Sequence, residues 1–233
     1  MIKNDNLLIA TGWYSDGKGH KSKWNRSRQC VQPGWLREVW QPYIERFIIP
    51  VQYYVYISNC TVLPDTMGEH FEYNFGYEAA AKLDGRHDFQ CSVLMGAMYA
   101  YCNGFDFCYI EQDCLVYGLD RALEFAKGHK ICFGFGDGIS LNRGWAEQSF
   151  MWVRNDYLPT FIGRGCELRI HETQGLPVPE VMWMELYGED FTAWPYGWGR
   201  KRPADFWERA GDYEFFYLQQ VTDGEIEKFL KLV

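Results

Sequence analysis

What the chain has little of narrows its reading first. Eight cysteines, at 30, 60, 91, 102, 108, 114, 132 and 166, are spread over 233 residues without one C-x-x-C spacing. Structural zinc and a disulfide framework are therefore poor readings, and reduced, buried thiols in a cytosolic setting are the expectation. The opening Met-Ile-Lys-Asn-Asp-Asn lacks the apolar core of a signal peptide, and no apolar run approaches membrane-spanning length. Basic residues are outnumbered, 23 against 31 acidic, for a formal charge of -8, which disfavours a general electrostatic grip on nucleic acid and leaves only local basic patches. No Gly-x-Ser-x-Gly elbow speaks for a serine hydrolase, and no Gly-Lys-Ser/Thr completes a Walker loop. No linker rich in Pro, Gly or Ser divides the chain, so one domain over 1–233 is expected. Aromatic residues are what abounds, at 18 % with ten Trp and sixteen Tyr. Their faces suit sugars, bases and core packing alike.

The stretch from Gly104 to Gly118 organises the rest. Phe105, Phe107, Cys108, Tyr109 and Ile110 form a nearly continuous apolar run, the pattern of a central buried strand. It ends in acid. Glu111 and Asp113 flank Gln112, and two carboxylates at i and i+2 can present oxygen ligands to one hard divalent cation. A helix-like segment, Ser92 to Cys102, runs into the strand, and another, Leu119 to Lys127, leads on to an apolar strand at Lys130 to Phe135. Acids at the carboxyl end of a middle strand stand where open α/β sheets place their ligands. The arrangement resembles the GT-A glycosyltransferases, whose Asp-x-Asp motif, here in a Glu-x-Asp variant, holds Mn²⁺ or Mg²⁺ against the diphosphate of a nucleotide-sugar. The resemblance implies an α/β fold with a single mixed, mostly parallel, Rossmann-like sheet flanked by helices. It also implies a nucleotide-sugar and metal half to about residue 118 and an acceptor half from about 119.

Earlier segments fit into that frame. Leu7 to Ala10 form a first strand, and by resemblance Thr11, Trp13 and Tyr14 at its end are candidates for base and ribose, with simple packing of Trp13 and Tyr14 as the alternative. Asp16 to Gln32 read as a polar loop with six basic or histidine side chains, either a solvated loop or a flap over phosphates. Pro33 to Phe47 read as a helix that Pro42 should kink or split. Ile48 to Ile57 alternate as a second strand, ending at Ser58, where by resemblance the family contacts uracil or ribose; UDP is a candidate nucleotide, and the missing acid common at that place leaves the nucleotide open. Arg86, before the helix into the acid strand, is the resemblance's candidate for donor sugar or diphosphate, against a plain helix boundary capped by Asp84 or Asp88. Gly134 to Gly138 hold three glycines in five residues, a donor-binding loop or a strand-ending turn.

In the last third, Glu180 to Asp190 read as a helix, and by resemblance Asp190, with Glu189 beside it, is the candidate base that deprotonates an acceptor hydroxyl in an inverting reaction. His171 is the only late histidine and the candidate third metal ligand, although it precedes the acidic helix where the family's ligand follows. Trp194 to Pro203 carry Arg200, Lys201 and Arg202 among aromatic residues and glycines, a diphosphate clamp or a solvated basic turn. Asp223 to Leu232 have helical spacing at Ile226, Phe229 and Leu230. The implied activity is metal-dependent transfer of a sugar from a nucleotide-diphosphate donor to the hydroxyl of an acceptor, a glycan or a hydroxymethylated base in DNA. A sugar-nucleotidylyltransferase and a non-catalytic carbohydrate- or nucleotide-binding module are the alternatives.

Overall fold

The computed structural model of the chain describes residues 2–13, 27–57, 63–65, 71–75, 86–136, 145–170, 183, 186–198 and 202–233. Strand β1 spans Ile2–Trp13, helix α1 Gln41–Phe47, β2 Ile48–Ile57, β3 Phe71–Phe75, α2 Arg86–Asn103, β4 Asp106–Ile110, β5 Leu115–Tyr117 and α3 Leu119–Ala126. Then come β6 Ile131–Gly136, β7 Trp145–Val153, α4 Leu158–Ile170, β8 Phe191–Ala193, β9 Gly197–Trp198, α5 Phe206–Arg209, β10 Phe216–Leu218 and α6 Asp223–Leu232.

Among the described residues seven strands form one sheet in the order β3-β2-β1-β4-β7-β6-β8. β7 runs antiparallel to both of its neighbours, and the remaining pairs are parallel. The sheet is thus mixed and mostly parallel, with helices on both faces, the class the acid-ended strand implies. Alternation along β1 sorts its side chains. Leu7, Ile9 and Trp13 join a core with the α1 arm, α3, α6 and the aromatic C-terminal segment, while Leu8 and Ala10 join a second core under α2 and α4. A small sheet, β5-β10-β9, sits on the first face, with β10 antiparallel to β5.

Local chemistry explains where elements depart from their sequence patterns. β1 begins at Ile2, well before the apolar Leu7, because Ile2, Lys3 and Asn4 pair with Ile48, Ile49 and Pro50 through backbone alone, with a register shift before Leu8. The expected helix over Pro33 to Phe47 is split as Pro42 requires: a π-helical turn at Leu36–Trp40 precedes α1, and Pro42 falls in the first turn of α1, where its missing N–H is no loss. α2 packs its backbone onto the sheet at Gly96, where an added Cβ would stand 2.9 Å from the Phe107 ring and 3.0 Å from the Ala10 Cβ. No described helix is long and apolar enough to cross a membrane.

Gly118 links β5 to α3 with φ 62, and a Cβ there would lie 2.2 Å from the Glu214 carbonyl oxygen. Backbone cannot yield as a side chain tip does. Gly118→Ala should therefore destabilise the protein by at least about 2 kcal/mol, combining left-handed strain with the clash. Thermal unfolding should show it as a fall of roughly 4–8 °C.

Candidate active site at the acid turn

β1 and β4 lie side by side and parallel, with β2 on the far side of β1 and β7 on the far side of β4. The strand order reverses between them, the switch point where open α/β sheets form a crevice beyond their carboxyl ends. Gly12 and Trp13 end one strand there, and Glu111 follows the other. α2 runs against β4, Ser92 meeting Tyr109 and Gly96 meeting Phe107, so its first residue, Arg86, lies at this same edge.

The turn after β4 is held by its backbone. The Glu111 N–H donates to the Ser149 carbonyl at 2.8 Å, and the Cys114 N–H closes the turn onto the Glu111 carbonyl at 3.0 Å. Trp35 Nε1 donates to the Gln112 carbonyl at 2.7 Å and the Tyr43 hydroxyl to the Cys114 carbonyl at 3.1 Å. Gln112 turns its own amide inward, Nε2 donating to the Cys30 carbonyl at 2.9 Å. The two flanking carboxylates are thereby set apart from the pinned residue between them.

Their environments differ. Glu111 is half-buried, and its Oε2 accepts from the Ser149 hydroxyl at 2.6 Å. Asp113 is buried, and that burial pushes its carboxyl up to about 6, against the opposing pull of its own backbone N–H and of the Arg202 charge. Burial also raises the Cys30 thiol, with the Asp113 charge adding to it, and raises the Tyr109 phenol, with Glu111 adding. Arg202 is almost enclosed: its guanidinium donates to the Gln219 carbonyl at 2.8 Å, and Nε lies 3.0 Å from Glu225 Oε1, at an angle that makes an ion pair rather than a hydrogen bond. Glu225 Oε2 accepts from the Thr222 N–H at 2.8 Å and hydroxyl at 2.9 Å, forming the capping box of α6. Next to it, Asp223 Oδ1 takes the Ser27 hydroxyl at 2.5 Å and the Arg28 N–H at 3.1 Å.

Of the residues singled out from sequence, Glu111, Gln112 and Asp113 share the turn after β4, with the start of α2 at the same edge, and the Arg202 charge acts on Asp113 from beyond hydrogen-bond contact. Tyr14, Ser58, His171 and Arg200 lie outside the described residues. Thr11 and Trp13 are wholly buried, Thr11 bonded to the neighbouring Gly12 carbonyl and Trp13 in the core, so packing displaces base contact as their role. Gln112 is a structural pin, since its amide is spent on Cys30. Arg202 is near the acids as a buried ion pair and offers no open fork. Among the described residues no three His, Cys, Asp or Glu cluster as a metal site.

Asp190 and Glu189 belong to the opposite edge. Asp190 immediately precedes β8, which runs parallel to β6 with Phe191 beside Ile131, so its carboxylate meets Lys130 at the amino ends of the strands. The length of β4 separates this edge from the acid turn, on the order of 15 Å. Lys130 Nζ at 2.7 Å, the Tyr157 hydroxyl at 2.8 Å and Arg164 at 3.0 Å all donate to Asp190. The Lys130 bond foremost, then that of Tyr157, hold its carboxyl down to about 2. A carboxylate so occupied and so placed is no base for chemistry at the acid turn. The sequence reading missed Trp35, Tyr43 and Ser149, which shape that turn, and Glu225, whose Thr-x-x-Glu spacing from Thr222 was a readable capping signal.

These opposite shifts generate opposite pH behaviour. Asp113 binds its proton more tightly folded than unfolded, so without metal the protein loses stability as pH rises from about 4 to about 6. Metal-free Asp113→Asn should lack that loss and melt a few degrees above wild type at pH 7, with the difference closing near pH 4 in calorimetry. Asp190 is the reverse: its depressed value stabilises the fold above about pH 4 and the benefit fades toward pH 2. Asp190→Asn should melt a few degrees lower at neutral pH and converge with wild type in acid, while turnover stays within a fewfold of wild type.

No family model matches the chain, and no curated protein matches it. Solved structures do. A glycosyltransferase involved in the glycosylation of the major capsid of PBCV-1 is 12% identical, covering 97% of this chain and 99% of that one at a TM-score of 0.50. An active-site mutant of LgtC is 12% identical, covering 97% and 94% at 0.56, and the galactosyltransferase LgtC in complex with donor and acceptor sugar analogs is 11% identical, covering 97% and 84% at 0.50. At such identities the likeness is one of architecture, and it runs nearly end to end: the chain has the fold of the GT-A glycosyltransferases.

Proposed function

We propose that the protein is a glycosyltransferase that moves a sugar from a nucleotide-diphosphate donor to an acceptor hydroxyl, using a divalent cation on Glu111 and Asp113. One observation carries the reading: the Glu-x-Asp pair leaves the carboxyl end of β4 at the switch point of the sheet, on a turn pinned by backbone bonds. The donor set suits a hard ion. Two carboxylates supply oxygen, one of them buried at an electrostatic cost that a cation would relieve, and Mg²⁺ or Mn²⁺ ordinarily completes its shell with phosphate oxygens and water. When bound, the ion would neutralise charge on the departing diphosphate. The chain's own part is to hold two oxygens in place and to keep Asp113 ionised, which its environment does only above about pH 6. The fold shared with LgtC, whose complex contains donor and acceptor sugar analogs, supports a sugar acceptor such as a glycan.

Thermal shifts test this directly. Nucleotide diphosphates and nucleotide-sugars are screened with and without Mn²⁺ on wild type and on Asp113→Ala. One diphosphate should stabilise wild type only with the metal, by about 2.7 kcal/mol at a hundred times its dissociation constant, and leave the variant unmoved. Since protonated Asp113 cannot ligate, the shift should shrink as pH falls below about 6. A panel in which no nucleotide shifts wild type would sink the reading and favour a module that binds carbohydrate without metal.

A further inference from the structure

Along β7 the apolar residues Phe150 to Val153 alternate between the two cores, and the residue just before them, wholly buried as they are, is Ser149. Burying a hydroxyl costs free energy unless it is hydrogen-bonded. The Ser149 hydroxyl donates to Glu111 Oε2 at 2.6 Å, and the Ser149 carbonyl takes the Glu111 N–H at 2.8 Å. The pairing of β4 with β7 accounts for both bonds. Phe107 faces Val153 and Ile110 faces Phe150, so the same register, carried one step further, sets Glu111 opposite Ser149 with both side chains on one face. At this point β7 also leaves β6. Phe133 faces Met151 and the next residue, Gly134, faces Glu147, so Gln148, Ser149 and Phe150 have no opposite on β6. Bulges of this kind re-aim a side chain or end a pairing beside functional sites. Here the bulge falls on the residue that meets Glu111.

We propose that Ser149 is a positioning residue for the cation, its hydroxyl holding the Glu111 carboxylate in the orientation that serves a divalent ion together with Asp113. The proposal rests on the reading of Glu111 and Asp113 as cation ligands. A glutamate side chain has many rotamers, and ordering it costs conformational entropy that an incoming ion must otherwise offset. A charge-assisted bond already in place lowers that cost. Carboxylates that ligate metals are themselves hydrogen-bonded, and losing such a partner weakens metal binding by about 10- to 100-fold. The bond does not by itself exclude an ion, because a carboxylate oxygen has more than one lone pair to offer. The hydroxyl is also well supported. It comes from a strand packed into both cores, so its place is set by the sheet rather than by the turn it steadies.

Mn²⁺ alone is titrated into the purified protein at pH 7.5, and free ion is followed by electron paramagnetic resonance on wild type, Ser149→Ala, Ser149→Thr, Glu111→Ala, and Ser149→Ala combined with Glu111→Ala. Thermal melting of each metal-free protein checks that it is folded. Ser149→Ala should bind Mn²⁺ at least about tenfold more weakly. Ser149→Thr, which keeps the hydroxyl and suits a strand, should stay within about threefold of wild type. With Glu111 already replaced by alanine, losing the serine hydroxyl should change the affinity less than about twofold, because the carboxylate through which it acts is gone. A serine that merely braced β7 would weaken binding equally in both backgrounds. If Ser149→Ala does not fold, Ser149→Cys, a weak donor of similar shape, takes its place. If Ser149→Thr is too crowded to fold, the two backgrounds decide; if Glu111→Ala binds too weakly to titrate, the threonine decides. Wild-type affinity in Ser149→Ala, an equal loss in both backgrounds, or a folded Ser149→Thr as weak as Ser149→Ala overturns the proposal, while the weakening in Glu111→Ala still shows where the ion sits. Wild type that takes up no Mn²⁺, or Glu111→Ala that binds as wild type does, removes the cation reading and this proposal with it.

Discussion

A turn that leaves a buried strand carries peptide groups into a place with little water, and each of them must find a partner. That requirement governs the surroundings of Glu111 to Cys114. The bonds come from far along the chain: Trp35 and Tyr43 lie 77 and 71 residues before the carbonyls they satisfy, and Ser149 lies 38 residues after the carboxylate it meets. The α1 arm and β7 are thereby tied to one turn. The result is a pair of carboxylates on a backbone with little freedom, the kind of preorganised support that ligand geometry requires.

Charge is distributed along the strands with the same economy of partners. At the amino edge Asp190 gathers a lysine, an arginine and a tyrosine and is driven strongly acidic. At the carboxyl edge Asp113 is enclosed, its proton held by burial and opposed by a single described arginine whose contact goes to another acid. Two residues of one type thus take opposite roles through desolvation against hydrogen bonding. The one is held by its three donors at the amino edge, and the other is enclosed at the edge where the proposed cation would bind.

The frame of the fold was legible because its signals are local. The aromatic run of β4, the helix before it, α3, β6 and α6 each announce themselves within about a dozen residues, and Pro42 states where the first helical arm must break. The position of Glu111 and Asp113 at the carboxyl end of β4 was legible for the same reason, since strand end and carboxylates are adjacent. Other assignments failed where the deciding fact is long-range. Nothing near Asp190 shows that β8 lies parallel to β6, and that pairing alone sends the residue to the amino edge. Thr11 and Trp13 sit at a strand end in sequence but under a helical arm in space. Gln112 looked like a ligand contact only until Cys30, 82 residues away, supplied the carbonyl it serves.

The antiparallel pairing of β5 with β10 bears on how the molecule comes into being during synthesis. Leu115 meets Leu218, so the partner of the segment that follows the acids is translated about a hundred residues later. At roughly 5–20 residues per second, a ribosome needs on the order of 5–20 s to deliver it. For that interval β1, β2 and β4 can pair while the apolar Leu115 and Val116, buried in the finished protein, still lack their cover and Asp113 lacks Arg202. The nascent chain is therefore most exposed to misassociation and chaperone capture over this window, and the surroundings of the turn after β4 are completed last.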